Sequence, residues 1–514
     1  MNVLGITKET MNERYLGLPV HVGKSRSSVF GYLKDRVWQR IQGWKEKLLS
    51  RAGKEVLIKA VAQAIPTFAM GCFDITKDIC DQISSMIGKF WWSSQDKEKK
   101  MHWISWETLT QSKKDGGLGF RDIHTFNLSM LAKQGWRLLQ NPDSLCAQVL
   151  KAKYFPAGNV LEAKCCSGAS YTWRSIHRGL QVLRNGMIWR IGNGRSVSIW
   201  RDPWIPREWS KRPVTPKGNN LICKVDELID PDTGEWDRQL VHQTFWPQDA
   251  DIILAIPTHA DLEDVPAWHY DARGLFSVRS AYKVHKEHLQ RSSRRGCQSS
   301  SSGSTLRNEH WKDLWKLKWL GKVKHFFWRF AHDSLALRMN LERRGMEMDT
   351  RCVICNRLGE EGGHLFFSCK MVRPIWQILG LETVREMLSK TSSARDAVRK
   401  ILELGEKISV QVVTLLWNWW LERNRVREGE RRMEPDHLAY IVRKTSDEFL
   451  AMGSQHPVSA ANRMKRWTRP PEDVLKINCD EAYRSVTSTG GWGFVIRDCD
   501  GQVIRLGPAS AHIC

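Results

Sequence analysis

Cys352-Val-Ile-Cys355, followed by His364 and Cys369, is the stretch on which the fold prediction depends most, and its pattern is C-x2-C-x8-H-x4-C. Two thiolates separated by two residues can share one metal ion from a tight turn, and an imidazole with a third thiolate completes a tetrahedral set of ligands. Four protein ligands leave no open position on the metal. The pattern therefore predicts a structural zinc ion whose binding contributes to folding.

The alternative for these residues is a set of unrelated thiols and an ordinary surface histidine. A lone C-x2-C pair would leave that alternative plausible, but a correctly spaced His and Cys favour zinc. The partner of the zinc-bound loop stays open, because zinc modules bind protein as well as nucleic acid. Nearby basic residues that could reach phosphates are Arg351, Arg357, Lys370 and Arg373.

The charge of the chain indicates a polyanionic partner. Lys and Arg number 79 against 56 Asp and Glu, which gives a net charge of +23 over 514 residues. Such an excess attracts phosphates, so nucleic acid is the first candidate and an anionic membrane the second. The 25 tryptophans could stack on bases, although most tryptophans of a globular chain fill cores.

The N-terminus has no apolar signal region, and no long uncharged apolar run follows. Thirteen cysteines, an odd and scattered set, do not resemble a disulfide scaffold. We therefore expect an intracellular protein of the nucleus or cytoplasm that is not secreted, has no membrane partner and has no evident small-molecule substrate.

Apolar periodicity predicts two helices over residues 27–65, a third over 76–92, and two more at 124–140 and 143–153. Residues 1–60 hold twelve Lys and Arg against five acids, which suits helices lying beside a phosphate backbone. A merely solvated basic face is the alternative. The predicted nucleic-acid contacts are Lys24, Arg26, Lys34, Arg40 and Lys54.

Residues 170–285 show short extended patterns instead. Trp189–Gly194 and Val197–Trp200 predict one β-hairpin around an Asn-Gly turn, and residues 267–270 and 275–278 predict another. Residues 290–304 are rich in serine, as linkers are. The loop at residues 116–119 lacks the context of a phosphate-binding loop.

Several stretches together resemble the plant LINE-type reverse transcriptase polyproteins. They are Tyr15–Pro19, Trp44–Lys54, residues 115–121, residues 189–204, the Trp311–Trp376 block, and Leu475–Asp480 continuing through Gly490–Asp498. The Trp311–Trp376 block resembles the reverse transcriptase zinc-binding domain, and the last stretch resembles the first hairpin of a ribonuclease H-like domain.

The resemblance implies a multidomain, mainly α chain with small α+β parts. The expected divisions are a helical thumb-like region after the palm at 1–160, a mixed connector with β-hairpins at 161–289, a linker at 290–304, the zinc-binding domain at 305–385, a helical region at 386–465, and a truncated ribonuclease H-like α/β segment at 466–514.

The departures from the family predict a chain that is inactive alone. A reverse transcriptase needs paired aspartates to hold two metal ions beside the primer, and no such Asp-Asp turn is present. Asp480 matches the first ribonuclease H carboxylate, but one carboxylate cannot assemble a site for two magnesium ions. Magnesium is therefore expected only if that site is completed.

Three functions follow. The first is a binding module for RNA, DNA or their hybrid, without its own polymerase site. The second is an RNA–DNA hybrid ribonuclease, if the C-terminal domain is completed. The third is a protein-interaction scaffold or an inert relic, for which Trp417–Trp420 and the residues just after it, including Arg423, could serve as a surface.

Overall fold

The computed structural model describes residues 14–20, 22–23, 25–45, 49–93, 101–156, 158–208, 210–259, 261–296, 309–317, 319–454, 470–484 and 489–512. The chain divides into two compact units, Met1–Ser446 and Asp447–Cys514. Helices dominate the larger unit, and the strands form small sheets, so the mainly α prediction is confirmed. Within the described residues, no helix is both long and apolar enough to span a bilayer.

The helices of the first half are α1 (Arg26–Lys45), α2 (Arg51–Leu57), α3 (Thr67–Met70), α4 (Lys77–Trp92), α5 (Trp106–Thr110), α6 (Ile123–Gln140), α7 (Leu145–Tyr154), α8 (Tyr171–Gly186), α9 (Arg238–Thr244) and α10 (Pro247–Leu254). Those of the second half are α11 (Val278–Gly296), α12 (Glu309–Lys316), α13 (Gly321–Ala331), α14 (Arg338–Glu342), α15 (Arg373–Ile378), α16 (Glu382–Ser389), α17 (Ala394–Glu403), α18 (Glu406–Arg427) and α19 (Pro435–Ser454). The strands are β1 (Arg14–Tyr15), β2 (Leu18–Pro19), β3 (Met187–Arg190), β4 (Val265–Trp268), β5 (Lys476–Arg484), β6 (Thr489–Arg497) and β7 (Val503–His512).

Five helices of the first half begin where a side chain can accept a free backbone N–H of the first turn. Ser50, Ser105, Asp122, Ser144 and Ser170 each do so, at the starts of α2, α5, α6, α7 and α8. The periodic apolar positions then turn inward. In α1 these are Phe30, Leu33, Val37 and Ile41, all buried, and the helix packs on α4.

The prediction of a hairpin around Asn193-Gly194 is wrong. Strand β3 pairs instead with β4, with Met187 opposite Trp268 and Arg190 opposite Val265. The Asp264 carboxylate explains the difference, because it accepts hydrogen bonds from the backbone N–H groups of Gly192, Gly194 and Ser196 at 2.8, 3.0 and 2.9 Å. The turn therefore wraps around a buried acid and does not close a hairpin.

The second predicted hairpin is half right. Residues 271–274 do form a turn, closed by a hydrogen bond from the Gly274 N–H to the Asp271 carbonyl at 2.9 Å. Residues 275–278 form no strand, because Phe276 turns into the core against Trp268 and Trp136. Helix α11 then begins at Val278 and continues to Gly296, so residues 290–296 of the predicted linker are helical. Residues 297–308 lie outside the described part of the chain.

The glycine loop at residues 116–119 joins the N-terminal helices to the cysteine-bearing part of the larger unit. The Gly116 carbonyl oxygen accepts a hydrogen bond from Trp328 Nε1 at 2.8 Å and lies 2.7 Å from His332 Nε2. Gly116 has φ +89°, and a Cβ there would lie 2.9 Å from the Trp311 ring. The loop is thus an anchor between helices, which agrees with its rejection as a phosphate-binding loop.

Replacing Gly117 by alanine should destabilise this junction. A Cβ at Gly117 would lie 2.1 Å from the Gln111 carbonyl oxygen, which is backbone and has little freedom to move. We expect a loss of about 1–3 kcal/mol in thermal or urea unfolding. Gly43→Ala is the matched control, because nothing lies within 4 Å of a Cβ there, inside α1. That substitution should stabilise by about 0.5–1 kcal/mol, and equal effects at the two sites would contradict the close approach.

A buried acid strengthens the same junction. The Glu55 carboxylate of α2 accepts from Lys59 Nζ at 2.6 Å and from Lys113 Nζ at 2.8 Å, and it lies 3.1 Å from His325 Nε2 on α13. Burial alone would raise the pKa of Glu55, but the hydrogen bonds from His325, Lys113 and Lys59 lower it well below its usual range. The ionised form is therefore the one that the fold stabilises.

Glu55→Gln should make the protein less sensitive to acid. A carboxyl whose pKa is depressed by folding stabilises above its unfolded pKa of about 4.3, and this contribution is lost as the pH falls through the folded value. We expect a cost of about 2 kcal/mol at pH 7 and a shallower fall of melting temperature below about pH 4.5. Glu263, an exposed acid without an ion pair among the described residues, gives the control Glu263→Gln. Parallel pH curves for wild type and Glu55→Gln would contradict this assignment.

Candidate metal centre and basic surfaces

The first two cysteines lie in a tight loop before α15. The Cys352 N–H donates to the Leu358 carbonyl at 2.7 Å, and the Asn356 N–H donates to the Cys352 carbonyl at 2.8 Å. Asn356 takes the left-handed conformation, with φ +53°, that this turn requires. The loop therefore presents Cys352 and Cys355 from one turn.

The other two residues bracket a single π-helical turn, His364–Ser368. The Cys369 N–H donates to the His364 carbonyl at 2.7 Å, which closes that turn and brings both side chains to the same side. The Sγ atoms of Cys352, Cys355 and Cys369 and a ring nitrogen of His364 all lie within 4.8 Å of one another. Cys352, His364 and Cys369 are buried, and Cys355 is half-buried.

This arrangement fits a tetrahedral zinc site. With Zn–S bonds of about 2.3 Å, the ligand atoms of such a site lie about 3.8 Å apart. His364 Nε2 is 3.3 Å from Cys355 Sγ, so Nε2 is the nitrogen that faces the thiols. The Nδ1 atom is buried without a hydrogen-bond partner among the described residues.

The electrostatics of the cluster favour ionisation of the Cys369 thiol before that of Cys352. A hydrogen bond from the Cys352 thiol lowers the pKa of Cys369, and the same bond, together with burial, raises the pKa of Cys352. Burial lowers the pKa of His364, which keeps the imidazole in the neutral form that a metal requires. The lowered pKa values of Cys369 and His364 suit ligation, because a metal binds the thiolate and the neutral imidazole.

A buried ion pair fixes the loop to α18. Glu360 and Arg423 are 0% and 1% exposed, and Arg423 Nε donates to Glu360 Oε1 at 2.9 Å. The second carboxylate oxygen also accepts from Arg423 Nη2, and it accepts the Arg338 N–H at 2.9 Å. The two residues lie 63 positions apart, so the pair cannot be recognised from the sequence. The buried Arg423 does not belong to the predicted partner surface.

Long side chains also satisfy the carbonyls of the π-helical turn. Trp419 Nε1 donates to Leu365 O at 2.8 Å, Trp376 Nε1 to Phe366 O at 3.0 Å, and Arg385 Nη1 to Phe367 O at 2.9 Å. Trp417 and Trp420 pack against Phe326. The tryptophans of the predicted partner surface are therefore largely used inside the chain.

The basic residues around the cysteines differ in availability. Arg351 forms a two-pronged ion pair with Asp349, at 3.1 and 3.0 Å, so its charge is already matched. Arg357, Lys370 and Arg373 are exposed and make no ion pair with any described residue. These three stay as candidates for phosphates.

The predicted contacts near the N-terminus are not equivalent either. Lys24 lies outside the described residues. Arg26 and Lys34 are half-buried, with Arg26 over the Tyr171 ring at 5.1 Å, and Arg40 is exposed. None of the three described side chains makes an ion pair within the described structure. Arg36, which shares a flank of α1 with Arg40, is also exposed and was not among the predicted contacts.

The prediction that Lys54 contacts nucleic acid is wrong. Its side chain is buried, with the residue 8% exposed, and Nζ donates to the carbonyls of Phe90 and Ser93 at 3.2 and 2.6 Å. The ammonium therefore satisfies the last carbonyls of α4, a position that a lysine favours. It is not directed at solvent.

In the smaller unit, strands β5, β6 and β7 form an antiparallel sheet in that order. Asp480 lies in the middle of β5, opposite Gly493 of β6, and its side chain lies outside the described part of the structure. Asp498 accepts from the N–H groups of Asp500 and Gln502 at 3.0 and 2.8 Å. Asp498 is thus a turn residue.

Comparison with known proteins agrees with this geometry. A family described as zinc-binding in reverse transcriptase matches residues 276–376, which contain all four candidate ligands. A protein of Arabidopsis thaliana named as a ribonuclease H protein is 26% identical over 513 residues, covering 94% of this chain and 78% of its own. An uncharacterized mitochondrial protein of the same plant is 40% identical over 152 residues, covering 29% of this chain and 99% of its own.

Proposed function

This chain belongs to the plant retrotransposon-derived proteins related to reverse transcriptase, and we propose that it is a nucleic-acid-binding part of a LINE-type polyprotein. A structural zinc ion would stabilise its fold. The observation that carries the proposal is the cluster of three thiols and an imidazole inside the stretch that matches the zinc-binding family. The net charge of +23 supports a phosphate-bearing partner.

Cys352, Cys355, His364 and Cys369 would hold the zinc ion. Four protein ligands would close its coordination, so the ion would supply folding free energy and no Lewis-acid chemistry. The loop around the ion, with the exposed Arg357, Lys370 and Arg373, would then be held in place as one binding surface. The flank of α1 would supply a second one.

The proposal includes the absence of polymerase activity from this chain alone. A polymerase palm holds two metal ions with paired aspartates, and the 514 residues contain no two adjacent aspartates. Binding without synthesis is the role that the remaining features support.

Binding of labelled RNA, DNA and hybrid oligonucleotides at several salt concentrations tests the proposal. We expect affinity to fall steeply between about 50 and 200 mM salt, because phosphate contacts release counterions. Arg36→Ala with Arg40→Ala should weaken binding to all three and should reduce the salt slope by about one for each lost phosphate contact. Arg427→Met is the control, since Arg427 is exposed and paired with Glu428. No binding in dilute buffer would refute the proposed function, and weak salt dependence would favour a protein-interaction scaffold.

A hybrid ribonuclease is the second candidate, favoured by the name of the relative that covers most of the chain and by the sheet around Asp480. Magnesium would then be required. Cleavage of an RNA–DNA hybrid by the purified chain, abolished by Asp480→Asn, would establish this activity and displace the binding role as the main one.

A further inference from the structure

A group of arginines and tryptophans lies between α2, α4 and α13. The guanidinium of Arg51 lies over the rings of Trp91 and Trp92, at 5.5 and 5.4 Å from their centroids. The guanidinium of Arg329 also lies over Trp92, at 5.9 Å. Two positive groups therefore share one indole ring.

The group continues to the surface through Trp103. Arg329 lies 5.8 Å from the Trp103 centroid, and Arg344 lies 5.9 Å from it. Arg344 is exposed and is held by hydrogen bonds to the carbonyls of His102 and Trp103, at 3.3 and 2.9 Å. Arg51, Arg329 and Trp103 are half-buried. The three guanidiniums thus form a row that runs from the interior to solvent.

No carboxylate among the described residues pairs with Arg51, Arg329 or Arg344. Glu55, one turn along α2 from Arg51, is occupied by Lys59, Lys113 and His325. A partly buried charge without a counter-charge is costly and is uncommon in stable cores.

Several N–H donors at the inner end of the row also have no acceptor. They are Arg51 Nη1, Arg329 Nε, Trp91 Nε1 and Trp92 Nε1, each buried and without a hydrogen-bond partner in the described structure. Every one of these groups donates and none accepts. Buried donors without acceptors are complementary to an oxyanion.

The electrostatics agree with this geometry. Burial lowers the pKa of Arg51 to about 10 and that of Arg329 to about 9, and Arg51 adds repulsion to Arg329. Both groups still carry their charge at neutral pH. The free protein therefore holds two like charges close together, which a bound anion would relieve.

We propose that Arg51, Arg329 and Arg344 bind successive phosphates of one nucleic-acid strand, with Trp92 and Trp103 holding the guanidiniums in place. The proposal rests on the nucleic-acid-binding function and assigns it a specific site. A row of three guanidiniums suits a strand, which carries a charge at each nucleotide, better than a single small anion. Guanidinium forks bind phosphate through two parallel hydrogen bonds.

Arg329→Met tests the site, because it removes the charge and keeps much of the volume. Full-length protein is titrated with a labelled oligoribonucleotide, and its melting temperature is measured without the strand. We expect affinity to fall about tenfold or more and the salt slope to fall by about one. An unpaired, partly buried charge is removed, but the hydrogen bond from Arg329 Nη2 to the Ser334 carbonyl is lost as well, so we expect the melting temperature to change little.

Two further variants keep the result interpretable. Arg329→Lys keeps a charge without the fork and should give an intermediate affinity, whereas Arg427→Met should bind within about twofold of wild type. If Arg329→Met binds as wild type while Arg36→Ala with Arg40→Ala weakens binding, the site is wrong and the proposed function stands. A large fall in the melting temperature of Arg329→Met with unchanged affinity would show that Arg329 is a structural residue. That result would also overturn the proposed site. If wild type itself binds no strand, the proposed function fails.

Discussion

Cys369→Ser should abolish the proposed zinc binding and lower the melting temperature of the protein by about 10 °C. Cys369 is fully buried and closes the π-helical turn that carries His364. Structural zinc contributes about 10–16 kcal/mol of binding free energy in small zinc peptides. Even a loss of about 4 kcal/mol would give such a shift, at roughly 2–4 °C per kcal/mol. Zinc content by elemental analysis and thermal unfolding by circular dichroism measure the two effects.

Cys146→Ser is the matched control, because Cys146 is an exposed thiol on α7 far from the candidate ligands in sequence. It should retain one zinc per chain and melt as wild type. A chelator should shift wild type towards the melting temperature of Cys369→Ser and leave that variant unchanged. Wild-type protein that is purified without zinc and is indifferent to the chelator would rule out the metal.

Arg423→Met should destabilise the protein by about 3–5 kcal/mol, the usual cost of leaving one charge of a buried pair alone. Glu360 is fully buried, and the backbone N–H groups of Arg338 and Val353 satisfy only part of its carboxylate. The loop that carries Cys352 and Cys355 should loosen with it, so zinc should be released at lower denaturant concentration.

A double-mutant cycle separates the pair from other effects of the substitution. Glu360→Gln combined with Arg423→Met should cost less than the sum of the single changes, because no lone charge is buried in the double variant. The exposed pair Arg427–Glu428 supplies the control, and Arg427→Met should cost less than about 0.5 kcal/mol. If Arg423→Met melts as wild type, the pair does not hold the loop.

Local patterns made the best predictions. The four cysteine and histidine positions lie within 18 residues, so their spacing alone predicted that they would meet. Helices α1, α4, α6 and α7 followed from apolar periodicity and capping residues, which act within one or two turns.

Contacts between residues that lie far apart in the sequence could not be predicted from local spacing and periodicity. Strand β3 pairs with β4, which ends at Trp268. The backbone N–H groups of the Asn-Gly turn, which was predicted to close a local hairpin, bind the Asp264 carboxylate instead. Lys54 lies in a basic stretch that suggested a phosphate contact. Its ammonium instead donates a hydrogen bond to a carbonyl at the end of α4. The row from Arg51 to Arg344 joins residues nearly 300 positions apart, so no window of sequence could reveal it.

The carbonyl contacts of the π-helical turn give a lower limit for any fragment designed to contain the candidate metal site. The family match ends at residue 376, yet Arg385 and Trp419, which occupy the carbonyls of Phe367 and Leu365, lie beyond it. A fragment cut at the family boundary would expose those carbonyls to solvent and lose the tryptophan that covers them. A fragment that keeps these contacts must therefore extend at least through α18, and expression trials should begin from that longer piece.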